Sequence, residues 1–444
     1  MIFARPGPVG PSTRLSAPTF ARPRWVLLAA LAILATACAA PRPANDSPPA
    51  STPRTAPVSS QPALILISLD GFRWDFLEYG ATPTLSRLAT EGVHANRLIP
   101  SFPTKTFPNH YTITTGLRPA EHGLVANNIR DPRTGERFGL SNRAAVADGK
   151  WYGGEPIWVT AQKSGLRSAP MFWPGSEAEI GGVRPTYHLP YDGAMRPEER
   201  VDQVLAWLDL PPEERPAFIT LYFEHVDDSA HEYGPDRSEA LNRALGIVDG
   251  GVERLIQGLD QRGLSSSVDL LIVSDHGMSK TSPERLVFLD DYLDPEDAGV
   301  IAWSPILALW PSPERIDAIY SALAGAHPHL AVYRRDEVPA GFEYSGHERI
   351  PPVIGISDDG WSVTTRRAFA NCPDCFNGGS HGYDHRTLSM GALFIAHGPS
   401  FRRGLTVPPF ENIHLYNLMC ALLGIEPAPN SGDPERVAGF LASR

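Results

Sequence analysis

Four apolar runs in this chain are continuous rather than alternating: ALILISL (63–69), PAFITLYFE (216–224), SVDLLIVSD (267–275) and GALFIAHG (391–398). A strand with one solvated face alternates apolar and polar residues; a strand covered on both faces does not. Helical patterns of 3.6-residue period lie between them, in TPTLSRLATEG (82–92), SEALNRALGIVDGGVERLIQGLDQRG (238–263) and NIHLYNLMCALLG (412–424). Each of these closes on Gly, a helix stop. Buried strands alternating with helices predict an α/β fold with a central, mostly parallel sheet flanked by helices. Residues 129–200 and 278–370 fit the alternation poorly and are expected to be insertions capping the C-terminal ends of the strands.

With 444 residues, 42% of them hydrophobic, the chain can bury a large core. Its net charge of −11 argues against binding a nucleic-acid polymer, yet leaves small phosphate esters open wherever a metal supplies local positive charge. Arg22 and Arg24 precede the apolar run 25–37, and Ala35-Thr36-Ala37-Cys38 resembles a bacterial lipoprotein box. Residues 1–38 therefore predict an export signal with a lipid tether on Cys38, placing the protein in a bacterial cell envelope. Residues 39–62 are Pro/Ser-rich and predict an extended tether, leaving 63–444 as the folded domain. Of the remaining cysteines, Cys372 and Cys375 are spaced for a bridge and Cys420 is left over. Nothing in the sequence points to an obligate protein partner.

Three of the four runs end in acidic or metal-type residues. The first ends at Asp70, the second leads to Asp227 and His231, and the third ends at Asp275 and His276. GGSHGYDH (378–385) adds His381 and His385. Taken singly, each has a bland reading: a turn cap, a solvated loop pair, a strand terminus, a surface histidine. Jointly they differ, because ligands of open α/β sheets bind at the carboxyl ends of strands. Carboxylates and imidazoles without thiolates suit zinc, and two separate sets suggest two metals. SFPTKTFPNH (101–110) sits downstream of the first strand, and either of its threonines is a candidate for chemistry or for a Pro-stiffened loop.

The stretches LISLDGFRWDFL, PSFPTKTFPNHYTITTGLRPAEHGLVANNIRDP, MFWPGSEAEIGGVRPTYHLPYDG, YFEHVDDSAHEYGP, VSDHGM and GGSHGYDH resemble, in order, the type I phosphodiesterase/nucleotide pyrophosphatase family of the alkaline phosphatase superfamily. The resemblance implies that Thr106 is the nucleophile. It implies one zinc held by Asp70, Asp275 and His276 and shared with Thr106, and a second held by Asp227, His231 and His381. Asn127 would donate to a phosphate oxygen. Phe107, Leu140, Trp173, Tyr191 and Tyr222 match positions around the nucleoside site; for Trp173 simple core packing is the equal alternative. The implied partners are small-molecule nucleotides or phosphodiesters, with nucleoside monophosphate released through a phosphothreonine. Two other readings stay open: a choline-phosphate or lysophospholipid phosphodiesterase, and a non-catalytic envelope binding protein.

Overall fold

The computed structural model describes residues 63–442, so the leader with Cys38 and the tether expected at 39–62 lie outside the described residues. Strand β1 (Ala63–Leu69) is buried along its whole length. Its side chains divide between two apolar layers. Leu64 and Leu66 pack with Leu415, Tyr416 and Leu418, whereas Ile65, Ile67 and Leu69 pack with Val201, Val204, Leu241 and Val248. A strand covered on both faces has no reason to alternate, which explains the unbroken apolar run.

The other strands of the main sheet are β2 (Val93–Ala95), β3 (Ser168–Met171), β4 (Phe218–Phe223), β5 (Val268–Val273), β6 (Phe394–His397) and β7 (Leu405–Val407). Their order is β7-β2-β6-β5-β1-β4-β3. β1 is parallel to β4 on one side and to β5 on the other, with Leu69 opposite Phe223 and Ser68 opposite Val273. The three central strands therefore finish at one level. The sheet is mostly parallel, as expected, but β6 runs antiparallel to both β5 and β2. Segment 129–200 is only partly an insertion, because β3 within it pairs in parallel with β4 as the sheet's edge.

Helices α1 (Pro83–Glu91), α2 (Thr106–Thr115), α3 (Pro197–Leu208), α4 (His225–Tyr233), α5 (Glu239–Gln261) and α6 (Leu415–Leu423) flank this sheet. Ser238 caps α5 by accepting from the Leu241 N–H. Asp249 on α5 accepts from the Thr84 and Leu85 N–H groups, closing the start of α1. Segment 278–370 folds mainly as a lobe. Its four antiparallel strands are ordered Val300–Ala302, Ile306–Leu309, Val353–Ser357 and Leu330–Arg334, and Leu307, Leu309, Ile319 and Val353 belong to a separate small core. Cys372 and Cys375 are bridged, and Cys420 is a buried free thiol.

One buried histidine makes this fold sensitive to acid. His122 Nδ1 accepts from the Leu124 N–H at 3.2 Å, which makes Nε2–H the donor to Thr112 Oγ1 at 3.0 Å. Burial pushes this imidazole down to about 3. Between pH 6.5 and 4 the unfolded chain takes up a proton that the folded chain refuses, so stability falls as pH falls. Urea unfolding of the wild type at pH 6, 5 and 4 should show an acid slope steeper than that of His122→Gln by about 1.4 kcal/mol per pH unit. Identical slopes would remove His122 as the cause.

Candidate active site

The shared level of β5, β1 and β4 brings distant residues together. Asp70 follows β1 directly, and Asp275 and His276 follow β5. Asp227 lies in the first turn of α4, just beyond β4, with His231 one turn later. Gly71, at φ 67°, allows the closest approach: a Cβ there would stand 2.8 Å from Asp227 Oδ1. Only glycine fits that position. His381 comes from the loop after Gly379–Ser380, a short strand paired with Ser279–Lys280. Thr106 opens α2, whose first N–H groups have no intrahelical acceptor.

Two groups result. Asp70, Asp275 and His276 are completely buried, whereas Asp227, His231 and His381 form a more open group, with the His231 side chain 39% exposed. Within each group the ligand atoms lie within 4.8 Å of one another. The groups adjoin, since the His276 and His381 rings stack at 3.5 Å. Thr106 Oγ1 lies 3.5 Å from His276 Nε2.

All three imidazoles face the site in one way. His231 Nδ1 meets Gly379 O at 2.8 Å, His276 Nδ1 meets Gly277 O at 2.9 Å, and His381 Nδ1 meets Thr104 O at 2.8 Å. A carbonyl only accepts, so each Nδ1 carries the hydrogen and each Nε2 presents a lone pair inward, the usual outer support of a metal-binding histidine. The carboxylates match this. Asp70 Oδ1, Asp227 Oδ1 and Asp275 Oδ2 are buried without a hydrogen-bond partner among the described residues. His276 Nε2 stands 2.9 Å from Asp275 Oδ2, two lone pairs face to face unless a positive charge sits between them. Burial, then the facing Asp275 and Asp227, pushes Asp70 well above the usual carboxylate range. This donor set, oxygen and imidazole nitrogen without sulfur, fits divalent metal.

Two supports were not legible in the sequence. Tyr222 OH donates to Asp70 Oδ2 at 2.6 Å, so its phenol steadies that carboxylate. His110 donates from Nδ1 to Thr106 O at 2.8 Å and accepts at Nε2 from Ser68 Oγ at 2.7 Å. Its Nδ1 also lies 3.3 Å from Asp275 Oδ2, which ties the first turn of α2 to the buried group. Lys105 reaches back to His381 O at 2.5 Å, and Thr104 accepts from Gly382 N–H at 2.9 Å. These neighbours of Thr106 therefore brace the His381 loop.

Around the opening, Asn127 Oδ1 accepts from the Phe107 N–H at 3.0 Å, which leaves the Asn127 NH₂ as a donor beside Thr106. Phe107 is half-buried with its ring edge on Phe138, and Leu140 is half-buried against the same core. Tyr191 is exposed and meets Phe172 and Tyr222 edge-on. Trp173 takes the alternative: it is 2% exposed, and its indole donates to His110 O at 3.1 Å behind α2. Enclosed in this way it offers no face to a substrate.

Comparison with known proteins agrees with this geometry. The family model described as type I phosphodiesterase/nucleotide pyrophosphatase matches residues 64–384. The chain belongs to this family. Among curated relatives, human ectonucleotide pyrophosphatase/phosphodiesterase family member 5 is 37% identical over 86% of this chain and 79% of the relative. The venom phosphodiesterase CdcPDE of Crotalus durissus collilineatus is 41% identical over 84% of this chain, which spans only 45% of that relative. A solved structure of murine member 5, an inactive variant in complex with AMP, superposes with a TM-score of 0.81 at 37% identity, covering 86% of this chain and 100% of the other. These matches overturn the bacterial-envelope location expected from the leader, because the relatives are animal ectonucleotide and venom proteins.

Removing the phenol that holds Asp70 tests the support described above. Tyr222→Phe should keep its fold yet bind divalent metal about 10–100-fold more weakly, measured by competition with a chromogenic chelator. Unchanged affinity would reduce the Tyr222–Asp70 bond to packing.

Proposed function

We propose that this protein is a two-zinc phosphodiesterase. It hydrolyses nucleotide phosphodiester or pyrophosphate bonds and releases nucleoside 5'-monophosphate through a covalent phosphothreonine on Thr106. The observation that carries the reading is the placement of the Thr106 hydroxyl at the start of α2, 3.5 Å from a ligand nitrogen of the buried group and beside the open one. Asp70, Asp275 and His276 would hold one Zn²⁺ and Asp227, His231 and His381 the other. When bound, such a pair stabilises the attacking and leaving oxygens of an in-line displacement and lowers the pKa of a water.

The chain's own residues do the remainder. The Thr106 hydroxyl, 3.5 Å from His276 Nε2, would face the metal held by Asp70, Asp275 and His276, which would lower the hydroxyl pKa and orient it as the nucleophile. Thr106 Oγ forms the new bond to phosphorus as the bond to the leaving group breaks on the opposite side. The Asn127 NH₂ and the Thr106 N–H donate to a non-bridging oxygen, where charge accumulates in the transition state. Attack by water then breaks the Thr106–phosphorus bond and restores the hydroxyl. The leaving group departs past the open group, since His231 is exposed while Asp275 and His276 are not. On the nucleoside side Phe107, Leu140 and Tyr191 supply the apolar surface for a base. The AMP bound to murine member 5 supports a nucleotide as substrate.

Hydrolysis of the p-nitrophenyl ester of thymidine monophosphate tests this reading, with p-nitrophenyl phosphorylcholine as the competing substrate. The nucleotide ester should be preferred, activity should vanish with chelator and return with Zn²⁺, and Thr106→Ala should lower kcat by at least about a thousandfold. Preference for the choline ester would overturn the base-binding assignment. Full activity in Thr106→Ala would overturn the covalent mechanism.

A further inference from the structure

Arg130 and Arg137 stand directly opposite each other in the hairpin of Asn128–Arg130 and Arg137–Gly139. Like charges paired across antiparallel strands repel each other. The hairpin does not need them for packing. Of its two other cross-strand pairs, Ile129 and Phe138 form the buried face, and Phe138 supports Phe107. Arg130 instead lies 5.8 Å from the Trp310 ring centroid, and Arg335 lies 5.7 Å from the same ring. None of these three guanidiniums has an ion pair or hydrogen bond among the described residues, and Arg335 Nε is buried without a partner.

The acids nearby are engaged elsewhere: Asp131 with Arg349, Glu136 with Lys150, and Glu348 with Arg133. Asp336 and Glu348 act on Arg335 only through their fields. Two unpaired guanidiniums flanking one indole, with a third opposite one of them across the hairpin, are unexpected in a chain of net charge −11. Clustered guanidiniums match multiply charged oxyanions, which they hold by charge-assisted hydrogen bonds. The hairpin starts just past Asn127, and three residues of extended chain span at most about 10 Å. Arg130 therefore lies within about 10 Å of Asn127, on the hairpin whose Phe138 supports Phe107.

We propose that Arg130 and Arg335, which flank Trp310, together with Arg137 opposite Arg130 in the hairpin, form a second anion site at the rim of the active site that binds a phosphate-bearing anion. That anion is either the outer phosphates of a substrate or a separate oligophosphate. The first source rests on the function proposed above; the second does not.

The double variant Arg130→Gln/Arg335→Gln separates the sources, assayed as the zinc-loaded protein. If the site holds the substrate's outer phosphates, KM for a nucleoside triphosphate rises about tenfold while kcat, and both constants for the p-nitrophenyl ester of thymidine monophosphate, stay within twofold. If it holds a separate anion, calorimetric titration with tripolyphosphate, in saturating thymidine monophosphate, shows a binding event in the wild type that the variant loses. In either case Arg130→Lys/Arg335→Lys retains most of the effect, because charge is kept. Should the Gln pair fail to fold, Arg137→Gln, at an exposed position, gives the same test with about a threefold change. Equal losses on both substrates, a Lys pair as defective as the Gln pair, or no change in kinetics and titration would overturn the proposal. Failure of the catalytic reading appears differently, as a wild type inert toward the ester, and leaves the titration standing.

Discussion

The mutual repulsion of three carboxylates, Asp70, Asp227 and Asp275, gathered at one edge of the sheet is the constraint on which the rest of the structure depends. Two unit charges about 4 Å apart interact by about 4 kcal/mol at an effective dielectric constant near 20. Hydrogen bonds relieve part of this, from Tyr222 to Asp70 and from Gly71 N–H to Asp275. The rest requires positive charge. Because the imidazoles of His231, His276 and His381 are each committed through Nδ1 to a carbonyl, they offer lone pairs and not protons. A site built in this way is prepared for metal before metal arrives.

The same constraint explains why the surroundings are so stiff. Asp70, Asp275 and His276 sit on strand ends sandwiched between two apolar layers, where a shift of one residue would turn the whole strand inside out. Gly71, Gly379 and Gly382 mark the closest approaches of backbone to the site: a Cβ on Gly379 would stand 2.3 Å from Ala230 O, and one on Gly382 2.4 Å from Lys105 Cε. Tyr191, the Asn128–Gly139 hairpin and the lobe at 278–370 stand outside this stiff centre and carry none of the ligands.

Some features were not legible in the sequence, each for a physical reason. The run at 391–398 looks like the other buried strands, because burial on both faces gives the same apolar pattern whichever direction a strand runs. Its antiparallel pairing with β5 is a matter of connection, not composition. Ser168–Met171 lacks a long apolar run, so a true sheet strand was grouped with the insertions. For Trp173 pocket and core were equal readings, and its burial behind α2 decides for the core; the bond of Tyr222 to Asp70 was invisible because both contacts join residues remote in the chain.

What the sequence determined by itself is whatever depends on neighbours along the chain. The continuous runs demanded a covered sheet, Ser238 and the closing glycines bounded helices, and the acids and histidines just past each strand marked one edge as chemical. The tertiary structure alone decided which of these residues meet. The parallel register of β5, β1 and β4, the stacking of His276 on His381, the links from His110 to Ser68 and Asp275, and the gathering of Arg130 and Arg335 about Trp310 join residues separated by tens to hundreds of positions. Periodicity records which side of an element is buried, but not against what. That information exists only once the elements have packed.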